Sequence, residues 1–149
     1  MRWTKLDEFV EGASFQGISR TITETDLVLF SSLSNGHHQP LHSDLEWVRE
    51  NTVYRERLVP GPQVLAYAIG AISASQVYSS AVLAFLGLNN VRSHAPLYPG
   101  ETMKVSARVA QVRPSRSKDD RGIVGLAVEA YKGEDETLMT FDYDLMIRR

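Results

Sequence analysis

VPGPQVLAYAIGAISASQV, residues Val59 to Val77, is the segment from which the architecture of this protein is best predicted. Its opening, Val59-Pro60-Gly61-Pro62, places two prolines and a glycine where a helix is expected to begin. The residues that follow are mainly Ala, Ile, Gly and Ser, and they predict a helix from Pro62 to Val77. Because no face of this helix is clearly polar, we expect the rest of the protein to enclose it on most sides.

Strand patterns fill the chain after this helix. In the last one, residues 137–147, Met139, Phe141 and Tyr143 alternate with polar residues, which is typical of a half-buried antiparallel strand. The other strands are predicted at 81–86, 90–94, 102–112 and 123–131. One enclosed helix followed by antiparallel strands predicts the α+β class, and we expect residues 1–149 to form a single domain.

Shorter elements are predicted before the helix. Residues 14–22 form a candidate strand, and Thr23 is a candidate N-cap for a short helix. The buried stripe of that helix is predicted to consist of Leu27, Phe30 and Leu33. Ser43-Asp44-Leu45-Glu46 has the pattern of a capping box and predicts a second short helix that ends near Glu50.

The composition excludes several classes of function. A net charge of −2 argues against nucleic-acid binding, and the sequence shows no basic segment typical of a membrane-surface helix. The absence of cysteine excludes disulfides, thiol nucleophiles and thiolate zinc sites. The N-terminus lacks the pattern of a signal peptide, and the longest apolar run is too short to span a bilayer. We therefore expect a cytoplasmic protein without a membrane or nucleic-acid partner.

The residues that offer chemistry lie in the loop Asn35-Gly36-His37-His38-Gln39-Pro40-Leu41-His42-Ser43-Asp44. Histidine exchanges protons near neutral pH, which makes His42 and His37 candidate acid and base groups. At the start of the long helix, the Gly61 N–H is a candidate oxyanion donor, backed by the positive end of the helix dipole. Pro62 has no N–H, so Gln63 is the next possible donor and a side chain or water would complete the hole. This combination suits acyl-thioester chemistry.

A metal site is the alternative interpretation of the histidine loop. His37, His38 and His42 are good Zn²⁺ ligand types, but a fourth ligand with convincing spacing is missing from the sequence. Adjacent histidines also point apart in most backbone conformations. We expect neither a metal nor another cofactor.

Several motifs of this sequence, in the right order from about Ile22 to the C-terminus, resemble those of the MaoC-like (R)-specific enoyl-CoA hydratase/dehydratase family. Members of this family have the hot-dog fold. The family signature reads roughly Gly-Asp-x-Asn-Pro-Leu-His-x-Asp, and residues 36–44 read Gly-His-His-Gln-Pro-Leu-His-Ser-Asp. The other matching segments are Leu58-Val59-Pro60-Gly61, Ala95-Pro96-Leu97-Tyr98-Pro99-Gly100-Glu101-Thr102 and Arg113-Pro114-Ser115-Arg116-Ser117 before Arg121-Gly122. The resemblance implies an antiparallel sheet wrapped around a central helix, a homodimer or higher oligomer, and an acyl-CoA site at or near the dimer interface.

The sequence departs from the family pattern at the residues that matter for catalysis. The family's catalytic aspartate falls on His37 in an ungapped alignment, or on Gly36 if the loop carries an insertion. Gln39 takes the place of the family's asparagine, and Ser93 that of a phenylalanine. The basic loop that contains Arg113, Arg116, Lys118 and Arg121 is interpreted either as a grip for CoA phosphates or as a solvated hairpin end.

From these residues we predict reversible hydration of a 2-enoyl-CoA to a 3-hydroxyacyl-CoA. The expected catalytic residues are His42, His37 and Gly61. The expected substrate-binding residues are Gln39, Pro60, Gln63, Arg113 and Arg116. Two alternatives stay open, namely an acyl-CoA thioesterase on the same fold and a non-catalytic acyl-CoA-binding subunit that retains the pocket.

Overall fold

The computed structural model describes residues 1–34 and 39–149. The described chain contains four α-helices: α1 (Glu24–Leu33), α2 (Pro40–Ser43), α3 (Leu45–Asn51) and α4 (Gly61–Ala74). Short strands β1 (Ser14–Gln16) and β2 (Arg20–Thr21) precede them, and four long strands follow: β3 (Val82–Ser93), β4 (Thr102–Pro114), β5 (Arg121–Lys132) and β6 (Glu136–Arg148). The α+β prediction is confirmed.

The sheet is antiparallel throughout and has the order β1-β4-β5-β6-β3, with β2 paired to β4 as well. Its inner face covers the long helix α4, as the hot-dog arrangement requires. In β4, for example, Met103, Val105, Ala107 and Val109 are buried while the residues between them lie on the outer face. The last strand alternates as predicted, with Met139, Phe141, Tyr143, Leu145 and Ile147 buried.

Enclosure of α4 is one-sided. Val64, Ala68, Ala71 and Ile72 are buried against the sheet, whereas Pro62, Ala66, Gly70 and Ala74 form an exposed stripe of small residues at every fourth position. The helix also ends at Ala74 and not at the predicted Val77. Gln76 adopts a left-handed conformation, with φ of 58°, which ends the helix just after Ser75.

The predicted first strand is split in two because its middle contacts the helix. Gly17 approaches α4 so closely that a Cβ atom there would lie 2.9 Å from the backbone of Ala71. The next N–H, that of Ile18, donates to the Ala71 carbonyl at 3.1 Å. The opposite difference occurs in β3, where the predicted break at Gly87 to Asn89 is a set of register shifts within one continuous strand.

Two details of the short helices differ from the sequence interpretation. Thr23 caps α1 as predicted, but Leu33 is 87% exposed and the buried side chains are Asp26, Leu27 and Ser31. The predicted capping box with Ser43 as the N-cap is wrong. The N-cap of α3 is Asp44, whose side chain accepts from the Trp47 N–H, and the Ser43 hydroxyl donates to the Gln39 carbonyl within α2.

Candidate active site

A cavity of about 440 Å³ lies between the helices and one end of the sheet. Its helix wall consists of Leu41, His42, Tyr54, Leu58, Val59, Gly61 and Val64. Its sheet wall consists of Ser93, Leu138 and the loop residues 94–97. A mainly apolar cavity of this size with a few polar groups is typical of small-molecule sites in proteins. The two features singled out in the sequence, His42 and the start of the long helix, therefore lie on the same wall.

The tautomer of His42 follows from its hydrogen bond. Nδ1 lies 2.8 Å from the Leu58 carbonyl oxygen, which only accepts, so Nδ1 carries the proton. In the neutral ring Nε2 then has a free lone pair and is available as a base. The Leu58 N–H also donates to the Leu41 carbonyl at 3.1 Å, so two hydrogen bonds fix α2 to the segment that leads into α4.

At the start of α4, one backbone donor has no acceptor within the part of the chain that the structure describes. The N–H groups of Gln63 and Val64 both donate to the Pro60 carbonyl, at 2.9 and 3.0 Å, and Pro62 has none. The Gly61 N–H has no acceptor among residues 1–34 and 39–149. A Cβ atom built on Gly61 meets nothing within 4 Å, so the space beside this residue is open. Gly61 thus presents an N–H that no described residue accepts from, at the positive end of a 14-residue helix.

The other residues predicted on this side of the site are distributed unevenly. His37, like Gly36 and His38, lies outside the described residues. Gln39 is exposed and is the N-cap of α2. Pro60 is buried and accepts the two hydrogen bonds that begin α4. Gln63 is fully buried, and its Nε2 donates to the Asp26 carbonyl of α1 at 2.9 Å. Gln63 therefore joins α1 to α4 behind the cavity wall.

Arg113 and Arg116 lie elsewhere in the same chain. With Arg121 they line a separate cavity of about 240 Å³ at the turn between β4 and β5. Strand β5 begins at this turn and ends at Lys132, whose Nζ contacts the Pro96 carbonyl in the sheet wall of the first cavity. Twelve strand residues span about 35 Å. The basic turn and the His42 cavity are thus at opposite ends of the sheet.

Sequence reasoning missed the polar residues that support the sheet wall. The Lys132 ammonium is almost buried and donates to the Pro96 carbonyl at 2.8 Å and to Glu101 Oε2 at 2.9 Å. The same carboxylate accepts from the Tyr98 N–H, and Arg55 lies over the Tyr98 ring. Alternation in β5 turns Lys132 toward the protein interior, and this is the one sequence signal for its role. Tyr54, which lines the cavity, was also missed.

A second buried polar cluster holds α1 in place. Burial by itself would raise the pKa of Asp26, but hydrogen bonds from the Thr23 N–H and hydroxyl and from the Tyr67 hydroxyl, together with the Arg20 charge, outweigh it and lower the pKa. The carboxylate therefore stays ionised and ties β2, α1 and α4 together. This cluster therefore fixes the position of α1, the last described helix before residues 35–38.

Within the described residues, histidine and the acidic side chains do not form a group of three or more that could hold a metal ion. None of the helices in the described residues is long and apolar enough to cross a membrane.

The chain is similar to a known protein family, to a curated protein and to several solved structures. Residues 9–131 match the MaoC like domain. Protein MaoC of Klebsiella aerogenes is 32% identical over 118 residues, which is 78% of this chain and 34% of that protein, so the chain spans about a third of the length of this curated relative. A solved structure described as a monoamine oxidase regulatory protein from Archaeoglobus has a TM-score of 0.87 and 29% identity, and the match covers 97% of this chain and 94% of that one. The unliganded R-hydratase PhaJ1 from Pseudomonas aeruginosa has a TM-score of 0.77 at 23% identity, with 97% and 85% of the two chains covered, and this likeness shows the fold alone.

Proposed function

Because this chain belongs to the MaoC-like domain family, we propose that it catalyses the reversible hydration of a 2-enoyl-CoA to a 3-hydroxyacyl-CoA. The observation that carries this proposal is the placement of two groups on one wall of one cavity: His42 Nε2 and the Gly61 N–H, neither of which has a hydrogen-bond partner among residues 1–34 and 39–149. Hydration of an enoyl thioester needs a base near C3 and a donor at the thioester oxygen, and this wall supplies both.

In the proposed reaction, Nε2 of His42 takes a proton from water while the water oxygen bonds to C3. The electron pair of the C2–C3 double bond moves toward the thioester, and the Gly61 N–H stabilises the negative charge on its oxygen. A proton delivered to C2 then completes the addition of water. We assign this second transfer to His37, and the Tyr54 hydroxyl in the helix wall is a candidate second donor for the oxygen. Gln39, Pro60 and Gln63 would support the site by holding α2 and α4.

We also propose a homodimer formed through β3. This strand is an edge of the sheet, and its side chains include the exposed apolar residues Leu83, Phe85, Leu86 and Val91. A long apolar edge strand is a template for pairing with another chain, and pairing with a second copy about a two-fold axis is self-complementary.

Such a dimer would bring a basic turn, namely the β4–β5 turn with Arg113, Arg116 and Arg121, close to the His42 cavity of the other chain. Two copies of β3 paired antiparallel place the partner's Val82 end beside the Ser93 end that lines this cavity. Val82 pairs with Ile147, which pairs with Gly122 next to the basic turn. We therefore infer that Arg113 and Arg116 bind the CoA phosphates of the partner's site and not of their own.

One observation favours a second candidate function. The described residues that line the cavity include no carboxylate, although enzymes that hydrolyse or hydrate thioesters on this fold generally use one. A non-catalytic acyl-CoA-binding subunit is therefore the alternative.

The test is turnover of crotonyl-CoA and longer 2-enoyl-CoAs, with release of free thiol measured in parallel to detect hydrolysis. We expect hydration without thiol release. We expect His42→Ala to lower kcat by a factor of 10²–10⁴, the usual contribution of a general acid or base. His42→Asn is the matched variant, because its amide keeps a donor toward the Leu58 carbonyl but provides no base. Acyl-CoA binding without turnover by the wild-type protein would favour the non-catalytic alternative.

A further inference from the structure

The carbonyl group that orients His42 belongs to the segment between α3 and α4. Leu58 accepts from Nδ1 of His42 and donates its own N–H to the Leu41 carbonyl, so both of these hydrogen bonds go to α2. Helix α2 has only four residues, and the two bonds join it to Leu58 without holding Leu58 itself in place. The orientation of the His42 ring therefore depends on what fixes the segment before α4.

The backbone of this segment has few contacts. Residues 53–57 form neither helix nor strand, and none of them makes a backbone–backbone hydrogen bond with any described residue. The first backbone contact with the sheet wall comes at Val59, whose N–H donates to the Leu97 carbonyl at 2.8 Å. Side chains must therefore determine the path of the chain up to Leu58.

Arg57 is the side chain that ties the segment to the rest of the fold. Its Nη1 and Nη2 donate to the two carboxylate oxygens of Glu24, in the first turn of α1, at 2.9 and 2.8 Å. Its Nε donates to Glu56 Oε1 at 3.1 Å. The Arg57 side chain is only 19% exposed, and a two-pronged arginine–carboxylate contact is both strong and directional.

Arg55, the other arginine of the segment, is a weaker anchor. Its side chain is 71% exposed, and its contact with Glu101 is a single one at 3.4 Å. Arg57 also directly precedes Leu58 in the chain, whereas Arg55 does not. The position of the Leu58 carbonyl is thus set mainly by Arg57.

We propose that Arg57 is a positioning residue for the base His42. By fixing the backbone through Glu24, it holds the Leu58 carbonyl against Nδ1, and this hydrogen bond keeps the proton on Nδ1 and the lone pair on Nε2. The inference rests on the hydratase function proposed above. It adds to the mechanism an ion pair, Arg57 with Glu24, that does not line the cavity.

NMR of the histidine ring nitrogens tests this role without measuring turnover. At about pH 9, where histidine side chains are ordinarily neutral, the wild-type His42 should carry its proton on Nδ1, and His42→Asn assigns its signal. In Arg57→Met the signal should change to that of a mixture of the two tautomers. Arg57→Lys keeps the charge but not the two parallel hydrogen bonds and should be intermediate. Arg149→Met, which removes an arginine paired with Asp7, should match the wild type.

Kinetics show whether this orientation matters for hydration. We expect Arg57→Met to lower kcat on crotonyl-CoA roughly ten- to a hundredfold, the usual effect of removing a group that orients a functional histidine. KM should change by less than about twofold, because Arg57 acts on the base and not on substrate binding. Added to His42→Ala, the substitution should cost nothing more, since the residue through which it acts is already missing. Glu24→Gln weakens the same ion pair and should change kcat and the NMR signal in the same direction.

The outcomes separate this role from the proposed function. A wild-type tautomer and kcat in Arg57→Met would overturn the proposal, even with a lower Tm, since a merely structural ion pair predicts that result. An equal loss of kcat in the wild-type and His42→Ala backgrounds would also overturn it. If the tautomer changes but the wild-type protein hydrates no 2-enoyl-CoA, the positioning of His42 stands and the hydratase function fails. If Arg57→Met does not fold, Arg57→Lys and Glu24→Gln decide in the same way.

Discussion

Backbone hydrogen bonds that the sequence motif does not show determine which donors and acceptors of the helix wall are available to a ligand. The Leu58 carbonyl fixes the tautomer of His42, and the Pro60 carbonyl occupies the N–H groups of Gln63 and Val64. These hydrogen bonds leave the Gly61 N–H as a donor at the start of α4 that has no acceptor among the described residues. The motif predicts which residues are present in the site, but the availability of each donor depends on local backbone geometry.

Gly61→Ala tests this assignment directly. A Cβ atom at Gly61 has open space around it, and the residue does not have a positive φ, so the variant should fold with an unchanged Tm. The added methyl group would occupy the place where a thioester oxygen approaches the N–H. We therefore expect kcat/KM on a 2-enoyl-CoA to fall by about 10²–10³, the usual cost of losing one oxyanion donor. Wild-type turnover in a correctly folded Gly61→Ala protein would exclude this N–H from catalysis.

Contacts between secondary-structure elements fix the position of α4. Gly17, in the link between β1 and β2, allows the chain to pass directly against the Ala71 backbone. We expect Gly17→Ala to lower the free energy of unfolding by about 1–3 kcal/mol, because backbone atoms 2.9 Å away cannot accept a methyl group without moving. Urea denaturation of Gly17→Ala and Gly61→Ala provides a matched pair. Equal stability of the two proteins would contradict the tight contact at Gly17.

The anchoring of α1 predicts a dependence of stability on pH. The pKa of Asp26 is lower in the folded protein than in the unfolded chain, so its ionised form stabilises the fold above the unfolded pKa of about 3.9. This contribution is lost as the pH falls below 4, through the folded pKa. In Asp26→Asn we expect a lower Tm at pH 7 and a smaller further decrease between pH 5 and pH 3 than in the wild type. Asp119→Asn, on the exposed β4–β5 turn, should retain the wild-type profile.

Features of these elements could be predicted from the sequence where neighbouring residues determine them, and not where distant segments do. Alternation in β6 and the Thr23 cap are set by neighbouring residues, and both were predicted from the sequence. The interruption of the first predicted strand at Gly17 and the inward orientation of Lys132 depend on contacts with distant segments. The sequence pattern therefore did not predict the interruption at Gly17 and indicated the orientation of Lys132 only weakly. In the site, His42 and Gly61 were predicted because each stands in a recognisable sequence motif, whereas Tyr54 and Ser93 enter the cavity only through the folding of remote segments.

The whole molecule gains its binding site for CoA, in our proposal, only as a dimer. In one chain the basic turn and the His42 cavity lie at opposite ends of a strand about 35 Å long. We therefore propose that Arg113 and Arg116 do not reach the phosphates of a CoA bound in their own chain's cavity, and that antiparallel pairing of two β3 strands brings them to the partner's cavity. Each chain would then contribute the base of one site and the cations of the other.

Mixing two impaired variants, measured at a substrate concentration well below the raised KM, tests this arrangement. His42→Ala removes the base, and the double variant Arg113→Ala, Arg116→Ala should raise KM for the CoA substrate at least tenfold through loss of two charge-assisted contacts. In a mixed dimer, the double variant supplies an intact His42 and its partner supplies intact arginines, so one complete site is restored. We expect mixed and reassociated samples to recover up to a quarter of wild-type activity, since half of the dimers are mixed and each has one working site. Phe85→Lys, which places a charge on the apolar edge, should give a monomer by light scattering and abolish the recovery. If mixing restores nothing while the variants do form mixed dimers, the arginines do not act on the partner's site.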